Sequence, residues 1–414
     1  MDNDDKKYIP ALRFPEFQNN GKWTTKLIGD IANTFSGGTP SVGNNNYYGG
    51  NIPFIRSGEI AKKDTELYIT ELGLSSSSAK MVNKGTILYA LYGATSGEVA
   101  ISQIDGAINQ AILAIIPKEN LYYNKYIYYF LQYQKQNILS KYLQGGQGNL
   151  SGAIINNLVI VLPCDANNDI SFDEQKRIAD CLSSLDKHID ATKRKLDQLK
   201  EHKKGVMQRI FPTKGKTIPE LRFSKFKGKW IEKKLGQMCH LTNGMAFKPS
   251  DWKEKGIPIV RIQNLNDENA SFNYCDPDII DNKYMIDTGT LLFSWSGTPG
   301  TSFGAYIWNR GKAVLNQHIF IVKTLGIDKI FFKMIIDANM ASIIEKSHGG
   351  AGLRHITKTE LENIKVFVSE DDIEQRKIAS FLLSMDNIIS VYTNKLNLLV
   401  EYKKGLMQQL FPKL

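Results

Sequence analysis

The sequence predicts an α+β protein: two tandem-repeat globular domains joined by two long helices, the helices forming an antiparallel coiled coil and the halves a pseudo-twofold pair. Three observations predict it. EQKRIADCLSSLDKHIDATKRKLDQLKEHKKGVMQRIFP (Glu174 to Pro212) aligns without a gap to EQRKIASFLLSMDNIISVYTNKLNLLVEYKKGLMQQLFP (Glu374 to Pro412), with roughly half the positions identical. Both copies carry a heptad of apolar residues. The stretches before them hold short β-type runs broken by Gly, Asn and Pro.

The repeat extends beyond the helices. IPALRFPEF at Ile9 returns as IPELRFSKF at Ile218, and each is followed by GKW (Trp23, Trp230). IPFIR (Ile52 to Arg56) answers IPIVR (Ile257 to Arg261), and GTILYALYGATSGEVA from Gly85 answers GTLLFSWSGTPGTSFGA from Gly289. NQAI from Asn109 answers NQHI from Asn316, and GGQGNL from Gly145 answers GGAGLR from Gly349. The order is the same in both halves. A period of roughly 200 residues is a duplicated domain and not a solenoid, whose repeats run about 20–50 residues. The expected segments are a first body over 1–170, a first helix over 171–212, a second body over 213–370 and a second helix over 371–414. With 414 residues, 42% hydrophobic and 23% charged, the composition fits a globular chain of more than one domain.

In the first body IPFIR, GTILYALYG, AILAIIP and NLVIVLP read as strands; in the second, IPIVRI, GTLLFSWSG, HIFIVK and NIKVFVS do. One aromatic-rich helix interrupts each body, NKYIYYFLQYQKQNIL from Asn124 and DKIFFKMIIDANMASII from Asp328. Tyrosines of the first invite base stacking. Phe, Ile and Met at the matching places of the second favour a core face instead.

The first long helix carries Ile178, Leu182, Leu185, Ile189, Leu196 and Leu199 as an a/d seam, and the second carries Ile378, Leu382, Met385, Ile389, Leu396 and Leu399. His188 and His202 fall on exposed flanks of that heptad. Ser171 precedes Glu174, and Asp371 precedes Glu374, at capping-box spacing, and Pro212 and Pro412 stop the helices. About 38 residues at 1.5 Å each give a rod of roughly 57 Å. Two such rods in one chain most simply pack on each other; the alternatives are that each packs only on its own body or that the seams dimerise between chains.

Several chemistries are excluded. No two prolines are adjacent, so the Pro-Pro-aromatic motif of amino-methyltransferases is absent. Gly215-Lys216-Thr217 lacks the earlier glycine of a phosphate-binding loop, since position 210 is Ile. The six histidines form no zinc-protease spacing, and Cys164, Cys181, Cys239 and Cys275 form no CxxC pair and read as small buried or half-buried side chains. Pro277-Asp278 followed by Asp281-Asn282-Lys283 is too compressed for a nuclease pattern. No metal site and no catalytic residue is expected. No apolar run approaches the ~18 residues that span a bilayer. The polar start MDNDDKKYIP lacks a secretory core, so a cytoplasmic, membrane-free protein is expected. A net charge of +10 fits a polyanion partner.

LRFPEF, SGGTP at Ser36, YGATSG at Tyr92, NQAI, EQKRIADCLSSLD and KKGVMQRIFP, doubled and in this body–helix order, resemble the specificity subunit of bacterial type I restriction-modification systems. The resemblance covers nearly the whole chain; its weakest point is LTNGMAFKPS in the second copy where the first has FSGGTPS. It implies two target-recognition domains reading the two halves of an asymmetric, bipartite site in double-stranded DNA. It implies that the paired helices space the half-sites and that the subunit is non-catalytic and holds no cofactor. Its partners would be two adenine methyltransferase subunits using S-adenosylmethionine, and two restriction/translocase subunits using ATP and Mg2+.

Base reading favours Arg, Lys, Asn and Gln, and phosphate positioning favours Lys, Arg, Ser, Thr and glycine-loop amides. On chemistry and repeat position the candidate DNA contacts are Arg56, Lys62, Lys63, Tyr92, Thr95, Gln110, Gln147 and Asn149 in the first body. In the second they are Arg261, Gln263, Asn264, Thr298, Gln317, His318, Arg354 and His355. Structural roles compete: Asn109-Gln110 and Asn316-Gln317 as turn caps, Arg56 and Arg261 as ion-pair partners. Lys203-Lys204 and Lys403-Lys404 read as solvated helix ends or partner contacts. Two other functions compete with DNA readout, a coiled-coil protein scaffold and a stand-alone DNA nuclease.

Overall fold

The computed structural model describes residues 8–118, 120–143, 149–213, 215–267, 269–350 and 352–413. Contacts divide the chain into two compact units, residues 1–193 with 394–414, and residues 194–393.

The body of the first unit rests on two four-stranded sheets. In one, Ala32–Ser36, Ile112–Pro117, Ile87–Ala90 and Val99–Ile101 lie side by side, all antiparallel. Side chains of a strand alternate between its faces. Ile87 and Tyr89 enter one core with the aromatic helix Asn124–Leu143, while Leu88 and Ala90 enter a second core with Ile55, Ile60 and Ile108. Both faces are covered, so the run reads as continuously apolar. The other sheet orders Tyr68–Ile69, Tyr48–Ile55, Gly106–Ile108 and Lys80–Val82. Its middle pair is parallel, with Phe54 beside Ala107 and Ile55 beside Ile108. Thr24–Leu27 pairs separately with Val159–Leu162.

The second unit repeats this plan. Cys239–Asn243, Ile319–Thr324, Leu291–Ser294 and Gly304–Ile307 form the antiparallel sheet, and Asn273–Cys275, Ile257–Val260, Ala313–Leu315 and Met285–Ile286 form the mixed one. Its parallel step sets Ile259 beside Val314 and Val260 beside Leu315. Ile231–Lys234 pairs with Lys365–Val368. One sheet has no counterpart among the described residues of the first unit: Ser296–Gly297, Arg354–His355 and His348–Gly349. The counterpart of the aromatic helix is shorter, Lys329–Ala338, and after Asn339 a separate helix Met340–Lys346 follows. Tyr126, Tyr129 and Phe130 in the first unit, and Phe331, Phe332 and Ile335 in the second, are core residues, so the matching places of the two helices hold a core face.

The long helices run Phe172–Ile210 and Asp372–Leu410. Ser171 Oγ accepts the Glu174 amide at 3.3 Å and Asp371 Oδ1 accepts the Glu374 amide at 3.1 Å, so each expected cap forms. The glutamates do not return the bond to the cap. Glu174 takes Nε and Nη2 of Arg13, both at 2.7 Å, and Glu374 takes Nε and Nη2 of Arg222 at 2.6 and 2.8 Å. The Arg of each LRF phrase is therefore tied to the Glu of each EQ phrase. Gln175 Oε1 accepts the Tyr123 amide, and Gln375 Oε1 the Asp328 amide, which fixes the start of each aromatic helix.

In the first unit Ile178, Ala179 and Leu182 share a core with Met407, Leu410 and Phe411. In the second, Ile378, Ala379 and Leu382 share one with Val206, Ile210 and Phe211. The start of one helix thus packs with the end of the other, which makes the pairing antiparallel. Leu196 is buried, and Leu185, Ile189, Leu199, Met385, Ile389, Leu396 and Leu399 are half-buried; His188 and His202 are exposed. Lys403 Nζ meets Asp186 at 2.6 Å and Lys203 Nζ meets Asp386 at 2.5 Å. This corrects the expectation of solvated lysines at Lys203 and Lys403: the first Lys of each KKG phrase pairs with the Asp of the opposite helix. The Phe of each terminal FP plugs an aromatic nest, Phe411 against Tyr126, Phe130 and Tyr133, Phe211 against Trp230 and Phe331. Cys164, Cys239 and Cys275 are buried, Cys181 is half-buried, and all are free thiols. Among the described residues no helix is long and apolar enough to cross a membrane.

Candidate nucleic-acid interface

The described parts of the remaining repeated phrases meet at one end of the mixed sheet in each body. In the first, the parallel strands Tyr48–Ile55 and Gly106–Ile108 deliver Arg56 and Asn109-Gln110 together, and the Asn109 amide donates to Ile55 O at 3.3 Å. The SGGTP turn lies across them: Gly38 N–H donates to Ile108 O at 3.3 Å, and a Cβ on Gly37 would sit 1.8 Å from that oxygen. Only glycine fits. Thr39 Oγ1 donates to Gln110 Oε1 at 2.5 Å. Leu91 N–H donates to Ala111 O and Leu150 N–H to Leu91 O, at 2.8 and 2.9 Å, which brings Tyr92 and Asn149 to the same end.

The second body builds the same crossing. The Asn316 amide donates to Val260 O at 3.0 Å, so Arg261 and Asn316-Gln317 emerge together. Met245 N–H donates to Leu315 O at 2.8 Å, and a Cβ on Gly244 would lie 2.1 Å from Asn316 O. TNG thus does the work of SGG, although the phrases look least alike there. Trp295 N–H donates to His318 O, and the Trp295 indole donates to Asn243 Oδ1 and Gln317 O at 3.0 and 3.1 Å. Ile356 N–H donates to Trp295 O, and Thr298 Oγ1 to Gly352 O at 2.6 Å, which docks Arg354 and His355 on the cluster.

The candidates fare differently. Gln110, Asn149, Lys62, Lys63, Gln263 and His355 are exposed; Tyr92, Thr95, Thr298, Gln317, His318 and Arg354 are half-buried. Gln147 lies outside the described residues. Asn109 and Asn316 cap turns, accepting the amides of Ala111 and Gln317. Arg56 is held by two carboxylates: Glu59, through Nε and Nη2 at 3.0 and 3.1 Å, and Glu66, through Nη2 at 2.5 Å. Burial pushes the Glu59 carboxyl up, but the Arg56 guanidinium and the amides of Glu66 and Arg56 outweigh it and hold it at about 2. Asn264 is buried; its Oδ1 accepts the Arg261 amide and its Nδ2 donates to Ala270 O and Ser271 O. Those bonds use both ends of its amide within the fold. Arg261 Nη1 donates to Asn273 Oδ1 at 3.0 Å, and its guanidinium lies 5.5 Å from the Trp252 ring centroid. His348 Nε2 lies 2.6 Å from Glu360 Oε1, 5.7 Å ring to ring from His355. Hydrogen bonds from Thr357, then from His348, hold the Glu360 carboxyl at about 2.

Trp252, Asn273 and Trp295 escaped the sequence reading. Trp252 and Asn273 lie outside the phrases the halves share; Trp295 stands where the first copy has Leu91, so a residue-by-residue comparison of the copies would have flagged it. Charge differs as well. Residues 1–170 hold 14 Lys and Arg against 14 Asp and Glu, whereas residues 213–370 hold 22 against 16. The second body is the more basic.

A family model described as the type I restriction modification DNA specificity domain matches residues 20–201 and 227–401. The MjaVIII specificity subunit of a type I restriction enzyme from Methanocaldococcus jannaschii is 25% identical, over 98% of this chain and 94% of its own. The putative MjaX specificity subunit from the same organism is 25% identical, over 94% and 92%. The crystal structure of a type I restriction-modification system S subunit from M. genitalium superposes with a TM-score of 0.63 at 16% identity, covering 98% of this chain and 99% of that one. At that identity the likeness is one of fold.

Proposed function

Since the chain belongs to the type I restriction-modification DNA specificity family, we propose that the two motif clusters are the DNA-reading ends of its two target-recognition domains. The protein is the specificity subunit of a type I restriction enzyme complex and is not itself the catalyst. One observation carries the site assignment. The repeated phrases that do not build the helices and their docking converge on one crossing in each body, and there the two copies present different side chains.

In this reading the domains are 1–170 and 213–370, and the helices 171–212 and 371–414 are the spacer that sets the run of unread base pairs. Tyr92, Thr95, Gln110, Asn149, Lys62 and Lys63 face one half-site. Arg261, Gln263, Thr298, Gln317, His318, Arg354 and His355 face the other. Arg, Gln and Asn satisfy donor and acceptor patterns of base edges in the major groove, while Lys and glycine-turn amides hold phosphates. Two unlike clusters read two unlike sequences, which gives an asymmetric bipartite site. Two methyltransferase subunits with S-adenosylmethionine, and two restriction subunits with ATP and Mg2+, supply the chemistry in the cytoplasm; the methyltransferase takes the adenine out of the stack.

The test is a base-resolution adenine-methylation map of the source cell with and without this gene. Loss of one bipartite motif of fixed gap is expected. An unchanged map, with the methyltransferase partner expressed, would favour a scaffold without readout, and metal-dependent cleavage by the purified chain would favour a nuclease.

A further inference from the structure

Three residues after the arginine that ends each IP-x-x-R strand, the first body has Glu59 and the second has Asn264. The two occupy one structural position. Both are buried, 4% and 2% exposed, and each accepts its arginine's own main-chain amide, at 3.3 and 3.0 Å. Only the first carries charge. Arg56 therefore sits between two carboxylates, Glu59 and Glu66, and the group of three is net negative. Asn264 offers Arg261 no carboxylate; among the described residues no Asp or Glu forms an ion pair with Arg261, whose side-chain partners are the neutral Asn273 and the face of Trp252. A DNA oxygen approaching the first arginine meets a surplus of negative charge; one approaching the second meets a guanidinium that pairs with no carboxylate among the described residues.

We propose that this position decides whether the neighbouring arginine is used on DNA: Asn264 leaves Arg261 to bind an acceptor of the second half-site, a phosphate oxygen or a guanine edge, whereas Glu59 withdraws Arg56 from the first. Asn264 and Glu59 are then positioning residues, and Arg56 is an internal strut despite its matching place in the repeat. The inference rests on the clusters being the DNA-facing ends.

The experiment measures binding of the complex of this chain with its methyltransferase subunits to duplex DNA carrying its own motif, across a salt series. Arg261→Gln should weaken binding. If the acceptor is a phosphate, all sequences weaken alike and the slope of log K against log salt falls by about 0.9. If it is guanine, one position of the second half-site relaxes. Asn273→Asp, nearly isosteric, should give Arg261 a carboxylate partner and reproduce the same loss with melting temperature kept or raised, which a merely structural role for Arg261 would not produce. Arg56→Gln should lower the melting temperature and leave the salt slope of the folded fraction unchanged. Unchanged binding, slope and motif in both Arg261→Gln and Asn273→Asp would overturn the proposal, as would a slope reduction in Arg56→Gln equal to that of Arg261→Gln. Wild-type complex that shows no sequence-specific binding would overturn the reading of the clusters themselves, and the proposal with it.

Discussion

Arg13 and Arg222 make the same two bonds to a helix-head glutamate in the two bodies; Arg56 and Arg261, equally matched in sequence position, do not share their partners. The first pair joins the entry of each body to a carboxylate at the head of a long helix, and both carboxylates are buried. The second pair stands at one end of the mixed sheet, where Arg56 meets two carboxylates and Arg261, among the described residues, meets none. Repetition in this chain therefore marks two different things. Where a phrase holds the helices to the body, the partner residues repeat with it. Where a phrase shapes the proposed reading end, the main-chain crossing repeats and the side chains around it change. A duplicated scaffold can in this way carry two unlike recognition surfaces without losing its fold.

The shared part breaks most severely. Arg13→Ala leaves Glu174 buried beside no cation, and Arg222→Ala does the same to Glu374; each should cost about 3–5 kcal/mol of stability. Equal costs in urea titrations of the two variants are expected, because the two arginines bond alike. Phe411→Ala and Phe211→Ala empty matching aromatic nests, and each should cost about 3–5 kcal/mol by the same measurement. A large cost in one body and a small one in the other would show that the two scaffolds are not equivalent.

The unlike part is tested by pH. Folded Glu59 titrates at about 2, below its ordinary 4.5, so it stabilises the first body above the unfolded value, and that contribution is lost as pH falls from 4.5 toward 2. Asn264 has no such dependence. Melting curves of wild type and Glu59→Gln should differ most near neutrality and converge in that acid window. A gap that stays constant with pH would deny the Glu59–Arg56 lock. The smallest effect is expected at the helix–helix ion pairs. Lys403→Met and Lys203→Met remove partly exposed bridges to Asp186 and Asp386, and about 0.2–1 kcal/mol each should be lost, less at high salt.

The long helices were legible because a heptad needs only periodicity, and the caps, stops and seam all lie within one continuous run. The bodies were legible as short strands, and the shared order of phrases carried the duplication. What the phrases do was not legible. Nothing in LRF or EQ says that Arg13 meets Glu174 some 160 positions later, since the bond depends on how the fold closes. The first lysine of each KKG looked solvated because its carboxylate partner lies on the other helix. At the proposed reading end, matching positions suggested matching roles for Arg56 and Arg261. The neighbour that separates them, Glu59 against Asn264, is visible in sequence, but its effect depends on burial, which is not. The three-stranded sheet bearing His348, Arg354 and His355 lies where neither GGAGLR nor the first copy's GGQGNL gave warning of strands.

The most direct test of one domain reading one half-site is an adenine-methylation map of cells expressing variants altered in a single cluster. Arg354→Gln with His355→Gln should change one half of the motif, Gln110→Ala with Asn149→Ala the other, and neither should change the gap between them. If either variant altered both halves, or the gap, the two clusters would not be independent readers and the account would be wrong.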